Sequence, residues 1–529
     1  MATETMIAVH EQDVSGLRSV LRKCFSFPVF LGTLIVAFNA AIMFPTFRME
    51  PDTWWHLKYG DMILRTGRWP TVDTWSFTVH GMPVVAYEWA GEVVTALTYR
   101  LGGMRGLEFM AYALTSLILI LLYYFAWQRC RNPKAAFIAT VAVLPVAAMC
   151  FTLRPQLLGY IFLLITLICL ESFRQGHRNA LWVLPPLFLL WVNTHGSFVL
   201  GFMAMGLYWI SGLVDFSSGG LHAQRWVLGD RIRLELAALG CLLVLPITPY
   251  GTRLATVPIE YAFFLPGNMA DIQEWQPLNF GFWEAKLLLI LLLAFIVAQV
   301  AFHLRYRLEE LALFFLIAYL TFEHFRFAII YAILFAPLAA AILSRWMPAY
   351  DPRIDKYAIN AVLIFVALAA LVWKFPSEAA LQKQVARVFP VQAVRYLKNH
   401  PIPGRMFNDY FFGGYLVWAM APRHKVFIDG RGDLYEAAGV FPDYIRIQNI
   451  KPSALAILRN YRIDSCLTQR TSPLATLLRA RSGWKEIHKD YLSSLFVRIR
   501  QSKDTSAVDT ARFHHANRGN AITASGGTH

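Results

Sequence analysis

Charged side chains are scarce in this chain of 529 residues: Asp, Glu, Lys and Arg make up 16% of it, whereas 57% is hydrophobic and the mean hydropathy is +0.44. Soluble domains carry about a quarter of their residues charged, so this scarcity points away from a soluble enzyme and to a polytopic membrane protein. Cysteine is sparse too. The six residues at 24, 130, 150, 169, 241 and 466 show no CxxC or Cys/His ligand spacing, which excludes a zinc motif or a disulfide framework and makes them packing residues. A continuous basic stripe is likewise missing despite a net charge of +15. Lys and Arg fall in short connectors between apolar runs, so they are topology signals and nucleic acid is not an expected partner. Arg18, Arg22 and Lys23 precede the first apolar run, yet no small-residue cleavage site comes before Pro45, and that run is read as a retained span.

What the chain does have is apolar runs of membrane length. With a span of about 20 residues, they fall near 28–45, 107–127, 135–152, 156–172, 180–193, 197–214, 235–249, 285–302, 310–322, 327–345 and 357–374, about eleven in all. The stretch 180–214 is broken at Asn193-Thr194-His195-Gly196. A cytoplasmic N-terminus places Arg129, Arg131 and Lys134, then Arg174 and Arg178, then Arg225, Arg231 and Arg233, then Arg305 and Arg307, then Arg345, Arg353 and Lys356 in successive inner connectors. An odd number of spans then puts the C-terminal part outside, together with the loop 46–106. The expected organisation is a cytoplasmic N-terminus (1–27), a transmembrane α-helical domain (28–375), an extracytoplasmic α/β domain (376–500) and a disordered tail (501–529).

Just past the first run the chain reads Glu50-Pro51-Asp52-Thr53-Trp54-Trp55-His56-Leu57, two carboxylates and two tryptophans at a membrane edge. Carboxylates are costly to desolvate there, while tryptophan favours the boundary, so the segment suits a polar substrate. Pro51-Asp52-Thr53 also suits a helix start with Asp52 as its cap. Trp54–Leu64 reads as an interfacial helix, 73–78 as extended, and Tyr87-Glu88 opens a second amphipathic helix that Gly102-Gly103 ends. Nearly every outward turn contributes a polar residue: Glu50, Asp52, His56, Asp73, Glu88, Arg154, Gln156, Asn193, His195, Tyr250, Asp271, Glu274, Glu323, His324 and Arg326. Ionisable groups gathered on one membrane face read as a functional site; the competing reading is that each caps a helix or reaches for water.

A membrane bundle, a first outer loop with acidic residues and interfacial helices, and a trailing outer domain together resemble the GT-C superfamily of glycosyltransferases. That superfamily includes protein O-mannosyltransferases, aminoarabinose transferases and the catalytic subunit of oligosaccharyltransferase. The Asp-Thr-Trp-Trp-His-Leu and Asp-Gly-Arg segments are similar to a bacterial subfamily grouped with it. The architectural match spans residues 1–375. The resemblance implies transfer of a sugar from a polyprenyl-phosphate carrier to a glycan, lipid or protein acceptor at the outer face of a bacterial inner membrane. It aligns Asp52 with the superfamily's first-loop acid, a base or metal ligand. Arg154, His324 and Arg326 are then partners for the departing phosphate, because guanidinium binds phosphate oxygens bidentately. Glu88 or Glu274 would orient the acceptor or assist a divalent cation, Mg or Mn. Departures are equally specific: Glu50 and Asp52 are separated by Pro51, no Asp-x-Asp triplet occurs in an outer loop, and a Trp-Trp-Asp signature is missing from the C-terminal part. The last two leave the cation open and argue against asparagine glycosylation. A flippase or transporter, or a non-catalytic scaffold, are the other function classes; the first should show two corresponding broken helices, and no partner to the 193–196 break is found.

From about Phe375 the pattern turns soluble: helix 390–397, strand 405–408, helix 415–420, strand 425–429, helix 434–447, helix 453–461, strand 465–469, helix 474–481 and a hairpin over 484–499, a small α/β domain. Its polar punctuation is Asn408–Tyr415, with Gly413-Gly414 as a candidate phosphate or carbohydrate cradle, and Asp429-Gly430-Arg431. Asp429 and Arg431 are candidates for acceptor recognition, for a mutual ion pair or for docking on the bundle.

Overall fold

Each apolar run seen in the sequence falls on a helix in the computed structural model, which describes residues 18–45, 49–263, 273–302 and 304–499. Asp271 and the tail 501–529 lie outside the described residues. Contacts divide the chain into two units: Met1–Asp73, Gly81–Val385 and Arg431–Glu436 form the first, and Thr74–His80, Ala386–Gly430 and Ala437–His529 the second.

Helices of the first unit are α1 (Phe27–Met43), α2 (Pro51–Thr66), α3 (Trp89–Cys130), α4 (Pro133–Ala148), α5 (Gln156–Arg174), α6 (Leu184–Val192), α7 (Phe198–Ser211), α8 (Leu228–Val244), α9 (Arg253–Phe263), α10 (Trp283–Phe302), α11 (Leu308–Glu323), α12 (Ala328–Leu343), α13 (Tyr357–Lys374) and α14 (Glu378–Val388), which runs across the boundary between the units. Among the described residues, six helical segments are long and apolar enough to cross a membrane: 18–43, 89–130, 156–174, 283–302, 325–343 and 357–374. Shorter apolar helices span 133–148, 178–192 and 198–211. Proline opens several of these elements, where its missing N–H costs nothing: Pro51 begins α2 and Pro133 begins α4, the latter capped by the Asn132 side chain, which accepts from the Lys134 and Ala135 amides.

Two local expectations change. The N-cap of α2 is Glu50, not Asp52: Glu50 and Thr53 form a reciprocal capping box, and Asp52 sits in the first turn. The amphipathic helix from Trp89 does not end at Gly102-Gly103 but continues for 42 residues, with Gly103 (φ 57, ψ −143) as a kink. Close approach of α2 to α3 requires Gly60, since a Cβ there would lie 2.0 Å from the Glu92 carbonyl oxygen. Three short strands, β1 (Phe216–Ser218), β2 (Leu221–Ala223) and β3 (Tyr306–Arg307), form a small sheet in the order β1-β2-β3.

In the second unit, β4 (Arg405–Asn408), β5 (Ile463–Gln469), β6 (Trp484–Lys489) and β7 (Ser493–Arg498) form a sheet of order β4-β5-β7-β6, parallel at β4–β5 and antiparallel at the other pairs. Helices α15 (Val391–Asn399), α16 (Tyr410–Met420), α18 (Val440–Gln448), α19 (Ala454–Asn460) and α20 (Pro473–Arg479) accompany it. The predicted strand 425–429 does not join this sheet; Val426 makes an isolated parallel bridge to Ser76 instead. The predicted helix 434–447 is two, α17 (Gly432–Ala437) and α18, broken at Gly439 with φ 71. Gly413-Gly414 is not a loop but the interior of α16, and a Cβ on Gly413 would lie 2.2 Å from the Ile428 carbonyl oxygen. Packing, rather than a ligand cradle, accounts for that glycine.

Candidate active site

Helix ends of the first unit bring the polar residues together in two adjoining groups. Arg154, between α4 and α5, is the centre of the first. Its Nη1 lies 3.2 Å from Glu50 Oε2 and 2.9 Å from Glu274 Oε2, and its Nη2 lies 3.2 Å from Asp52 Oδ2. The second Asp52 oxygen accepts from the Trp55 indole N–H at 3.0 Å. Glu274 also faces the Arg326 guanidinium at 3.8 Å, and that guanidinium stacks 4.1 Å over Trp275. Thr53 ties the start of α2 to the same place by donating to the Leu153 carbonyl at 2.9 Å.

A second group is a file of alternating carboxyls and imidazoles. His56 Nδ1 lies 3.0 Å from Glu92 Oε1, His56 Nε2 3.3 Å from Glu88 Oε2, and Glu88 Oε1 3.3 Å from His195 Nε2. The Ser197 amide donates to His195 Nδ1 at 3.1 Å, so the proton of the neutral His195 ring sits on Nε2 and points at Glu88. Side chains of His56 and Glu92 are 2% and 1% exposed. Burial, reinforced by Arg154 and His195, holds His56 well below the usual imidazole range. Burial followed by Arg326 and Arg154 pushes His195 down to about 3. Burial pushes Glu88 up to about 8 against the pull of Arg154. At neutral pH the file is therefore two neutral rings around a protonated Glu88, and His56 Nε2, which lacks a hydrogen bond of good geometry, faces that acid.

Carboxyls of the first group divide in direction. Burial alone would raise Glu274, but Arg154 and Arg326 overcome it and hold this carboxyl at about 2. Burial raises Glu50 despite Arg154, with Asp52 and Glu274 adding to the rise. Neighbouring carboxylates hold the Arg154 guanidinium charged even against its own burial.

No family model and no curated protein matches the sequence. Solved structures do. The oligosaccharyltransferase of Archaeoglobus fulgidus tethered to an acceptor peptide containing the NVT sequon superposes with a TM-score of 0.54 at 11% identity, over 84% of this chain and 70% of that one. The same archaeal oligosaccharyltransferase, AglB, in complex with an inhibitory peptide and a dolichol-phosphate gives 0.50 at 11% identity, over 83% and 69%. The chain shares the fold of this archaeal enzyme. ArnT from Cupriavidus metallidurans bound to undecaprenyl phosphate overlaps 88% of this chain and 98% of its own at 13% identity, with a TM-score of 0.49.

Within this bundle the predicted residues separate clearly. Glu50, Asp52, Arg154, Glu274 and Arg326 meet at one guanidinium, and His56, Glu88 and His195 meet in the file. His324 acts from behind: its Nδ1 lies 2.8 Å from the Trp275 carbonyl and its ring packs edge-on to Trp275, which fixes the turn bearing Glu274. Gln156 is buried at the start of α5, where its amide donates to Thr152 at 3.4 Å. Asn193 and Tyr250 are structural, Asn193 accepting from the Trp89 indole and Tyr250 donating to the Pro70 carbonyl. Arg431 is a clamp within the first unit, 2.7 Å from Asp73 and 2.9 Å from the Tyr59 hydroxyl. Asp429 is fully buried in the second unit, beneath Gly413. Glu92 and Ser197 belong to the site but were not singled out in the sequence. Glu92 follows Glu88 by four residues, one helical turn on the same face, and that spacing was the available signal.

Among the described residues no three His, Cys, Asp or Glu are grouped to hold a metal ion. The carboxylates with the charge for one close on Arg154 instead. The donor set as arranged therefore does not fit Mg or Mn, and no step below runs through a cation.

Proposed function

We propose that this protein is a membrane glycosyltransferase that moves a sugar from a polyprenyl-phosphate carrier to an acceptor hydroxyl at the outer face of the membrane. The observation carrying this reading is Arg154, a guanidinium held at the helix ends by Glu50, Asp52 and Glu274, with Arg326 behind it. Its fold is that of a transferase captured with dolichol-phosphate, a carrier of the class proposed here.

Between the two carboxyls aligned with catalysis, Asp52 and Glu88, accessibility favours Asp52 as the base. Asp52 keeps 18% of its side chain exposed, whereas both oxygens of Glu88 are engaged by imidazoles. In the resting site Asp52 is held by Arg154 at 3.2 Å. Arrival of the carrier phosphate draws the guanidinium toward itself, which frees the Asp52 carboxylate to face the acceptor. The acceptor oxygen then attacks the anomeric carbon, its proton passes to Asp52, and the bond from that carbon to the phosphate oxygen breaks. Arg154 and Arg326 stabilise the charge gained by the departing phosphate. Glu88, protonated between His56 and His195, is placed to give a proton behind this step.

Purified protein assayed against a panel of polyprenyl-phosphate sugars tests the reading. Asp52→Asn should keep the fold and carrier binding, since the amide oxygen still accepts from Trp55, while transfer disappears. Full transfer by that variant would remove Asp52 from the role, and silence of the wild type toward every carrier in the panel would count against the class.

A further inference from the structure

A second polar site lies at the opposite ends of the same helices. From Arg326 to Arg345 the chain runs along α12, whose 16 residues rise about 24 Å. There a cavity of about 240 Å³ opens among the C-terminal end of α3, the segment entering β3 and the residues after α12. Arg129, Cys130, Arg305, Tyr306, Ser344 and Arg345 line it, with Leu304, Ala341 and Ile342. Arg129 is neutralised by Glu310, but among the described residues neither Arg305 nor Arg345 has a carboxylate partner. Tyr306 is 3% exposed, and its hydroxyl is buried with no hydrogen-bond partner among the described residues. Among the described residues the Arg345 guanidinium donates only to the Phe302 carbonyl, at 3.4 Å. Buried hydroxyls are ordinarily satisfied, so one left open beside two guanidinium groups without a carboxylate indicates an absent acceptor. Phe302 and Trp346, 43% and 57% exposed, pack against each other at 4.9 Å beside the cavity, as aromatics do at a membrane boundary.

We infer that this cavity binds a phosphate-bearing anion, with Arg305 and Arg345 pairing its charge and the Tyr306 hydroxyl donating to one of its oxygens. The volume is below the roughly 300 Å³ at which drug-sized pockets begin, which suits a headgroup rather than a whole lipid. Basic pockets between spanning helices bind anionic lipid headgroups by this chemistry. A phosphodiester headgroup and free phosphate share it. The site does not depend on the transfer reaction.

Delipidated full-length protein in a neutral detergent is titrated with dioctanoyl phosphatidylglycerol, dioctanoyl phosphatidylcholine and inorganic phosphate, with binding read by native mass spectrometry and by the thermal midpoint. Saturable binding of phosphatidylglycerol is expected, weakened roughly thirtyfold in the Arg305→Gln/Arg345→Gln double variant at about 1 kcal/mol per surface arginine. Tyr306→Phe, which deletes one oxygen and keeps the packing, should weaken it about tenfold. Phosphate binding with the same variant sensitivity, in place of lipid, assigns the anion to solution and keeps the site. Binding that is unsaturable, equal for phosphatidylcholine, or unchanged in both variants overturns it.

Discussion

Two carboxyls a few residues from a helix start can be driven in opposite directions by what surrounds them, and Glu88 and Glu274 show this within one site. Two arginines outweigh the burial of Glu274 and hold it at about 2, whereas burial prevails at Glu88 and pushes it up to about 8. Pairs separated in this way mark acid and base roles. For Glu88 the direction also fixes a stability effect. Below pH 4.5 both the folded and unfolded chains carry its proton, and between 4.5 and about 8 only the folded chain does, so folding weakens as pH rises through that window. The penalty is complete above it, on the order of 5 kcal/mol at about 1.4 kcal/mol per unit. Glu88→Gln should therefore match the wild type in thermal midpoint at pH 4 and exceed it at pH 9. A constant difference between the two pH values would show that Glu88 is not held protonated. Arg154→Gln acts the other way. It leaves Glu50, Asp52 and Glu274 facing one another without their shared cation, at a cost of about 3 kcal/mol, and Glu274 should titrate above its wild-type position. Calorimetry across pH would detect both.

Those side chains meet because α2 lies against α3, and that contact depends on an element-level fit. Gly60→Ala places a methyl 2.0 Å from the backbone oxygen of Glu92, so α2 must shift and carry His56 away from Glu92. Transfer should fall at least tenfold and the thermal midpoint should drop by several degrees, a cost of about 1–3 kcal/mol. Gly206 in α7 meets nothing within 4 Å, so Gly206→Ala should be neutral or more stable by up to about 1 kcal/mol. Equal losses in the two variants would mean that helix propensity, and not the approach of α2 to α3, decides the outcome. Helices of this kind were legible from the sequence because apolar runs of membrane length have few alternatives, and β4 was placed at its observed residues, 405–408. Segments decided by distant partners were not. Residues 425–429 look like a strand by composition, yet Val426 pairs with Ser76, some 350 residues away in sequence and invisible to any local pattern. Asp52 looked like a cap because Pro51 and Thr53 flank it, but the reciprocal bond with Thr53 belongs to Glu50.

At the scale of the whole bundle the polar residues form two layers at the two ends of the helices, and they differ in how completely their charges are matched. At the end read as outer, three carboxylates share one guanidinium, and a protonated acid lies between neutral rings. At the other, Arg174 pairs with Glu309 at 2.7 Å, Ser211 donates to Glu309 at 2.7 Å, and Arg307 bridges Glu171 and Glu310 at 2.8 and 3.0 Å. Basic residues of the second layer were legible as topology signals, but its carboxylates were not, because Glu171, Glu309 and Glu310 look like ordinary helix-end charges until folding buries them. Where charges are matched, as around Glu309, they stabilise, whereas the mismatched cluster at Arg154 is kept for chemistry, and the distinction can be measured. Glu309 is fully buried, so Glu309→Gln strands the Arg174 charge and should cost about 3–5 kcal/mol, read as a lower thermal midpoint. Its transfer rate per folded molecule should remain within about twofold, since the change lies a helix length from Asp52. Asp52→Asn should invert the pattern, with an almost unchanged midpoint and no transfer. Loss of transfer in Glu309→Gln at full stability would place chemistry in the wrong layer, and a collapse of stability in Asp52→Asn would make the Arg154 cluster a structural one.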